Sequence, residues 1–230
     1  MSSDRYSRQT MLPQFGEDGQ EKLTDASVLI IGAGGLGTPI MFDLASAGVG
    51  TIGLADNDII KESNLNRQYI HFEEDIGSLK VNSAAAKLRA LNSDISVIPH
   101  DTAINKDNAY ELISQYDVVA LAVDNVQARM IVNDSCVQLG IPFADGGVNG
   151  FVGTATFIDP AKTPCLACLY GTAQPPEENF GAIAPVVGMI ANLEATAILQ
   201  YLLGLEVPMS EKPIAYDAST RELDKADIQR

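Results

Sequence analysis

The chain has 230 residues, enough for one sizeable α/β domain or one domain with an appended lobe, and its 46% hydrophobic residues can fill such a core. Thirty acidic against fifteen basic residues leave a net charge of -15, which argues against nucleic acid or anionic lipid as the main partner, since both demand a basic face. Three cysteines do not suggest a secreted disulfide framework, and Met1-Ser2-Ser3-Asp4-Arg5-Tyr6 has no apolar signal core; with no stretch of about 18 uninterrupted apolar residues, a cytosolic location away from membranes is expected.

Val28-Leu29-Ile30-Ile31 is a short, wholly apolar run between Ser27 and Gly32, the pattern of a buried parallel strand. Residues 36–47 read as a helix closed by Gly48, with Pro39 tolerated in its first turn, and residues 51–55 as the next strand. A helix over 82–91 offers Ala84, Ala85, Ala86, Leu88 and Leu91 for packing; a strand follows over 95–99, then a helix over 108–115. Val118 to Val123 gives a second wholly buried strand signal, Asp124-Asn125 follows it, and a helix over 126–139 stops at Gly140. This alternation predicts a Rossmann-like, doubly wound, mainly parallel sheet.

After Pro142 the pattern changes. Gly146-Gly147, Gly150 and Gly153 break up the chain, and strands over 154–158 and 214–216 belong to a more antiparallel C-terminal part. Gln174-Pro175-Pro176-Glu177-Glu178-Asn179 reads as a loop. Residues 184–203 form the most apolar helical pattern, with Gly188, Ala191, Ala195 and Ala197 permitting close approach; Asn192, Glu194 and Gln200 interrupt it, so it reads as a buried or dimer-forming helix, not a membrane span. The expected organisation is a single domain with an N-terminal helical arm over 1–26, a nucleotide-binding core over 27–145 and a further part over 146–230.

Gly32-Ala33-Gly34-Gly35-Leu36-Gly37 satisfies G-x-G-x-x-G between a strand and a helix, so backbone N–H groups and the helix start can face phosphate. Asp56 closes the second strand about 20 residues further on, where a carboxylate can accept hydrogen bonds from ribose hydroxyls. These two features alone fit an ordinary NAD-binding domain. Arg67 and Lys80 change the reading, because they supply cations suited to a triphosphate where a dinucleotide presents only ribose and nicotinamide. Asp124-Asn125 falls past the carboxyl end of a central strand, where open α/β sheets bind ligands; Asp124 there either holds Mg²⁺ bridging phosphates or caps the helix from Val126. His71 and His100 read as structural or exposed, since no serine or cysteine motif stands beside them.

With these residues in place, the chain resembles the HesA/MoeB/ThiF family, the bacterial relatives of ubiquitin-activating enzymes, along nearly its whole length. The matching segments are Arg5-Tyr6-Ser7-Arg8-Gln9, the Gly32–Gly37 loop, Ala47-Gly48-Val49-Gly50, Asp56-Asn57-Asp58, Ser63 to Gln68, Gly77-Ser78-Leu79-Lys80, Val123-Asp124-Asn125, Pro164-Cys165-Leu166-Ala167-Cys168 and Ala184-Pro185-Val186-Val187-Gly188. The resemblance implies an ATP- and Mg²⁺-dependent adenylyltransferase that activates the C-terminal glycine of a ubiquitin-like sulfur-carrier protein and releases pyrophosphate. It places Arg67 and Lys80 on the phosphates and Asp56 on the ribose. Gly32, Gly34, Gly35, Gly37, Ser63, Asn64 and Asn125 fall around the nucleotide, Asp124 on the metal, and Arg8 on the ATP of a second protomer in a homodimer. Residues 146–230 become the carrier-binding and dimer-forming part.

The chain departs from the family pattern twice. Cys165 and Cys168 have zinc-ligand spacing, but the second C-x-x-C that commonly completes a four-cysteine Zn²⁺ site is absent, so a relic thiol pair or a local disulfide is expected ahead of zinc. Residues 171–181 contain no cysteine, where many relatives carry one for thioester or persulfide steps; a separate sulfurtransferase or cysteine desulfurase would then supply sulfur. The alternatives are adenylation of another carboxylate, such as a peptide terminus, and a non-catalytic nucleotide- or carrier-binding module.

Overall fold

The apolar run at 28–31 is hidden on both faces because it becomes the middle of a sheet. In the computed structural model, which describes residues 4–170 and 181–225, eight strands form one sheet: β1 (Ser27–Ile31), β2 (Thr51–Ala55), β3 (Ser96–His100), β4 (Val118–Leu121), β5 (Phe143–Asn149), β6 (Val152–Ile158), β7 (Ile214–Asp217) and β8 (Glu222–Lys225). Their order is β3-β2-β1-β4-β5-β6-β7-β8. The first five run parallel, with Ile31 opposite both Ala55 and Leu121, and the last three return antiparallel. The Rossmann-like sheet with an antiparallel continuation is therefore present, and its strand order reverses between β1 and β4.

Helices α1 (Ser7–Thr10), α2 (Gly16–Asp25), α3 (Gly37–Ala47), α4 (Lys80–Leu91), α5 (Ala109–Ile113), α6 (Val126–Leu139), α7 (Leu166–Tyr170) and α8 (Ala184–Leu203) surround the sheet. Successive residues of a strand face opposite sides, so β1 feeds two cores. Val28 and Ile30 pack with Ile40, Leu44, Leu88, Ile190 and Ile198 on the side of α3, α4 and α8; Leu29 and Ile31 pack with Ile113, Val132, Cys136 and Phe143 on the side of α5 and α6. Helices α3, α6 and α8 each end on a glycine in the left-handed region, at Gly48, Gly140 and Gly204.

The structure corrects the sequence reading in the glycine-rich stretch. Residues 143–149 are not a break but a strand, paired parallel to β4 and in full antiparallel register with β6. Gly146 is there because α8 lies on the strand: a Cβ at this position would collide with the Glu194 carboxylate and the Ile190 side chain. That contact also accounts for the composition of α8, which buries Val186, Val187, Ile190, Ala191, Ala195 and Ile198 against β5, β6 and α3. β4 stops at Leu121, two residues before the apolar run ends, although the Ala122 N–H still donates to the Ile31 carbonyl at 2.8 Å. The expected loop at 174–179 lies outside the described residues.

Candidate active site

At the carboxyl end of β1 the chain turns at Gly32, whose φ of 103° and contact with the Ala122 carbonyl exclude a side chain. Gly37 opens α3 with its α-carbon so near the Gly32 carbonyl that no Cβ fits. The loop between them is held from both sides. The Ala33 N–H donates to Asp56 Oδ2 at 2.7 Å, and the Ala33 carbonyl lies 3.4 Å from His71 Nε2. His71 is buried; desolvation lowers its pKa, which leaves a neutral ring that donates from Nε2 while Nδ1 faces the Ser83 hydroxyl at 3.2 Å. Asp56 also accepts the Asp58 N–H at Oδ1, at 2.7 Å. A carboxylate has about four acceptor sites, so two remain for ribose hydroxyls.

The segment after β2 curls back over this loop. Asn64 Oδ1 accepts the Lys61 N–H at 2.9 Å, and the Asn64 carbonyl accepts the N–H groups of Arg67 and Gln68. The Arg67 stem crosses Gly35, while its Nη1 donates to the Ser63 carbonyl at 3.1 Å and to Asn66 Oδ1 at 2.8 Å. Arg67 forms no ion pair among the described residues, so its charge is available to an anion. Lys80 begins α4 and is only 5% exposed, with Nζ 2.7 Å from Asp58 and 3.9 Å from Asp56. Gln68 is 3% exposed, its Nε2 beside Gly34, and its Oε1 is buried with no hydrogen-bond partner among the described residues. An orphaned buried acceptor costs about 1–3 kcal/mol, a cost that a donor seated in the loop would remove.

Across the β1/β4 crevice, residues 122–125 bring in Asp124. The helix cap there is Asn125, whose Oδ1 accepts the Ala128 N–H at 2.8 Å, and not Asp124. Asp124 is exposed and forms no ion pair among the described residues, so its carboxylate is free for a cation. The loop is fixed from beneath by Arg129, which donates to the Val123 carbonyl at 2.9 Å, the Gly146 carbonyl at 3.1 Å and Asp145 Oδ1 at 2.6 Å. Tyr170 donates to the other Asp145 oxygen at 3.1 Å, and burial raises its hydroxyl to a pKa of about 12. Glu194 stands over Gly146, fully buried and without a hydrogen-bond partner among the described residues. One guanidinium thus meets two buried carboxylates. Burial raises both, but Asp145 takes the direct bonds of Arg129 and Tyr170 and carries the charge, while Glu194, driven well above its ordinary value by desolvation and the nearby Asp145, keeps its proton.

The ThiF family profile matches residues 6–230. The chain belongs to the ThiF family. It is 40% identical over 219 residues to the Arabidopsis thaliana protein named adenylyltransferase and sulfurtransferase MOCS3, covering 93% of this chain and 47% of that one. The Sus scrofa protein of the same name is 41% identical over 219 residues, covering 93% and 48%. The chain spans about half the length of these curated relatives. A crystal structure of E. coli MccB with ATP aligns with a TM-score of 0.87 at 27% identity, covering 99% of this chain and 72% of that chain. The microcin C7 biosynthetic enzyme MccB in complex with N-formylated MccA gives 0.88 at 26% identity, covering 100% and 73%.

Within this ThiF-family chain, Gly32, Gly34, Gly35, Gly37, Asp56, Ser63, Asn64, Arg67 and Lys80 converge on one loop, and Asp124 and Asn125 face it from the next strand. Arg8 does not join them: it is exposed on α1, whose helix is tied down by buried Tyr6 and by Gln9, the latter donating to the Ala47 carbonyl at 2.7 Å. Cys165 and Cys168 sit near each other, but no third His, Cys, Asp or Glu completes a metal set among the described residues. The 171–180 segment lies outside the described residues. A surface hollow of about 490 Å³ lined by Lys22, Asp25, Asp117 and Tyr201 opens at the opposite edge, where β1 and β4 begin. Sequence reasoning missed Gln68 as an individual site residue, although it closes the Ser63–Gln68 motif, and it missed the Arg129–Asp145–Glu194 group, for which no local pattern exists.

Proposed function

We propose that this chain transfers the adenylyl group of ATP to a carboxylate, and that the carboxylate is the C-terminal glycine of a ubiquitin-like sulfur carrier ending in Gly-Gly. The adenylyltransferase reading is supported by the family and by the relatives named for that activity. The observation that carries it is a pair of cations beside the glycine loop: Lys80, buried next to Asp56 and Asp58, and Arg67, which crosses Gly35 and has no carboxylate partner among the described residues. A carboxylate is already ionised at neutral pH, so no general base is required. The barrier is repulsion between anions and the charge growing on the departing pyrophosphate, which fixed cations relieve.

In this reading the carboxylate oxygen attacks the α-phosphorus, the bond to the β-phosphate oxygen breaks, and pyrophosphate leaves. Asp56 orients the ribose, Arg67 and Lys80 hold phosphate oxygens, and Gln68 fixes the nucleotide against Gly34. Asp124 is suited to Mg²⁺ by its free carboxylate at the crevice; the ion, when bound, neutralises phosphate oxygens as a Lewis acid. Arg8 acts on a partner protomer in a homodimer, residues 27–145 bind the nucleotide, residues 146–230 hold the carrier and the dimer partner, and the protein works in the cytosol with a separate sulfur donor. The MccB structures with N-formylated MccA favour a second reading, in which the same head activates a carboxylate other than a carrier tail.

ATP–pyrophosphate exchange with the purified chain, Mg²⁺ and candidate carriers, each with and without its terminal Gly-Gly, separates these readings. Exchange only with an intact tail supports the carrier. Exchange with a short peptide acid and with no carrier supports the second reading, and ATP binding with no exchange for any carboxylate refutes both.

A further inference from the structure

The adenylation chemistry gives His71 no part, yet its ring is buried against the glycine loop. Nε2 lies 3.4 Å from the Ala33 carbonyl and Nδ1 lies 3.2 Å from the Ser83 hydroxyl. A carbonyl can only accept, so the single proton of the neutral ring sits on Nε2, and Nδ1 accepts from Ser83. Desolvation, helped by the charges of Lys87 and Lys80, outweighs the Ala33 bond and Asp75 and holds the ring below its ordinary pKa, which keeps a second proton away. Ser83 is itself fixed. Lys87 donates to its Oγ at 3.1 Å, which leaves the hydroxyl proton for His71, and Lys87 is paired with Asp75 and stands 4.4 Å over the Phe72 ring.

The contact matters for the other end of the same peptide plane. No peptide bond is cis among the described residues, so the carbonyl of Ala33 and the N–H of Gly34 point in opposite directions. With the carbonyl on the buried ring, the Gly34 N–H points away from it; Ala33 is 1% exposed, whereas Gly34 is only half-buried. The N–H groups of Gly34 and Gly35 donate to nothing among the described residues. The preceding plane is held by Asp56, which accepts the Ala33 N–H at 2.7 Å. Ala33 is thus clamped on both sides, and two unpaired backbone donors follow it just ahead of α3, the arrangement that cradles phosphate. We infer that His71 is a positioning residue of the nucleotide site, which aims the Gly34 N–H at a phosphate oxygen by holding the Ala33 carbonyl. Losing that donor frees the plane to rotate. The inference rests on the nucleotide reading above, and His71 itself touches no reacting atom.

The test uses the full chain and three substitutions. The amide nitrogen of glutamine reaches the place of Nε2 and that of asparagine only the place of Nδ1, so His71→Gln keeps a donor for Ala33, His71→Asn loses it, and His71→Phe has neither nitrogen. Calorimetry measures ATP affinity, ligand-observed NMR measures adenosine, which carries no phosphate, and urea unfolding records stability. His71→Asn and His71→Phe should bind ATP about 10- to 100-fold more weakly than the wild type, as expected for one lost bond to a charged oxygen. Adenosine affinity should be unchanged, and His71→Gln should recover most of the ATP affinity. The chain has two histidines, so long-range proton–nitrogen NMR of the unsubstituted protein reads the tautomer even where a substitution prevents folding; a protonated Nε2 and a bare Nδ1 are expected for His71 at neutral pH. A proton on Nδ1, equal weakening of ATP and adenosine, or a His71→Gln protein as poor as His71→Asn overturns the inference. Wild-type ATP binding that no substitution alters removes the role of His71 alone, whereas a wild-type chain that binds no ATP removes the nucleotide reading as well.

Discussion

Glu194 gives the most quantitative test of the structure. It is fully buried over Gly146 with no hydrogen-bond partner among the described residues, faced by Asp145 and Arg129, and desolvation holds its pKa well above the ordinary 4.5. Below that ordinary value both folded and unfolded chains keep the proton, so the group contributes no pH dependence. As the pH rises past it the unfolded chain releases the proton and the folded chain does not. The folded state then binds more protons, and stability falls by about 1.4 kcal/mol per pH unit until the folded-state pKa is reached. Glu194→Gln keeps the shape and removes the titration. The substituted protein should therefore gain on the wild type as pH rises above the ordinary glutamate range, with a limiting slope of about 1.4 kcal/mol per pH unit for as long as Glu194 stays protonated in the fold. Urea unfolding followed by far-UV circular dichroism at several pH values measures this difference, and the lack of tryptophan favours that probe. A difference that stays constant from below pH 4.5 upward would mean that Glu194 titrates alike in both states and would refute its assignment as a buried acid with a raised pKa.

Asp145→Asn should have the opposite effect, destabilising by about 3–5 kcal/mol because it leaves Arg129 buried without its charge partner; the same unfolding curves at pH 7 check it. Arg67→Ala and Lys80→Ala should each lower carrier-dependent pyrophosphate exchange by about 10²–10³ while the circular dichroism spectrum is retained. Asp124→Ala should abolish exchange without unfolding the chain, and wild-type exchange in that variant would remove Asp124 from the metal. Gln68→Leu, which deletes an orphaned acceptor, should leave stability equal or higher yet weaken ATP binding by about 3- to 10-fold in calorimetry.

How legible these features were depends on how local their causes are. The strand at 28–31, the glycine loop and the stop at Gly48 each follow from a handful of adjacent residues, and Asp56 sits where the strand spacing puts it. β5 was illegible because its glycines answer to α8, a helix some forty residues later, and glycine in isolation reads as a break. Arg129, Asp145 and Glu194 meet only because β5 lies between β4 and β6 with α8 across it, so no window of sequence contains them together. The cap was read as a choice for Asp124 when its neighbour Asn125 takes it, a one-residue shift that decides whether the carboxylate is free.

The reversal of strand order between β1 and β4 has a consequence for inheritance. Apart from the glycine loop, Asp124 and Asn125, the groups that face the nucleotide in this reading are encoded in one uninterrupted stretch, from Asp56 to Lys80, on one side of the crevice. The antiparallel extension is encoded only after Pro142 and adds strands at the far edge of the sheet. The two parts are nonetheless not interchangeable at will, because Asp145, Gly146 and Tyr170 from beyond Pro142 hold Arg129 under the Asp124 loop: change that reshapes the acceptor side must keep this buried ion pair if the nucleotide head is to be copied unchanged.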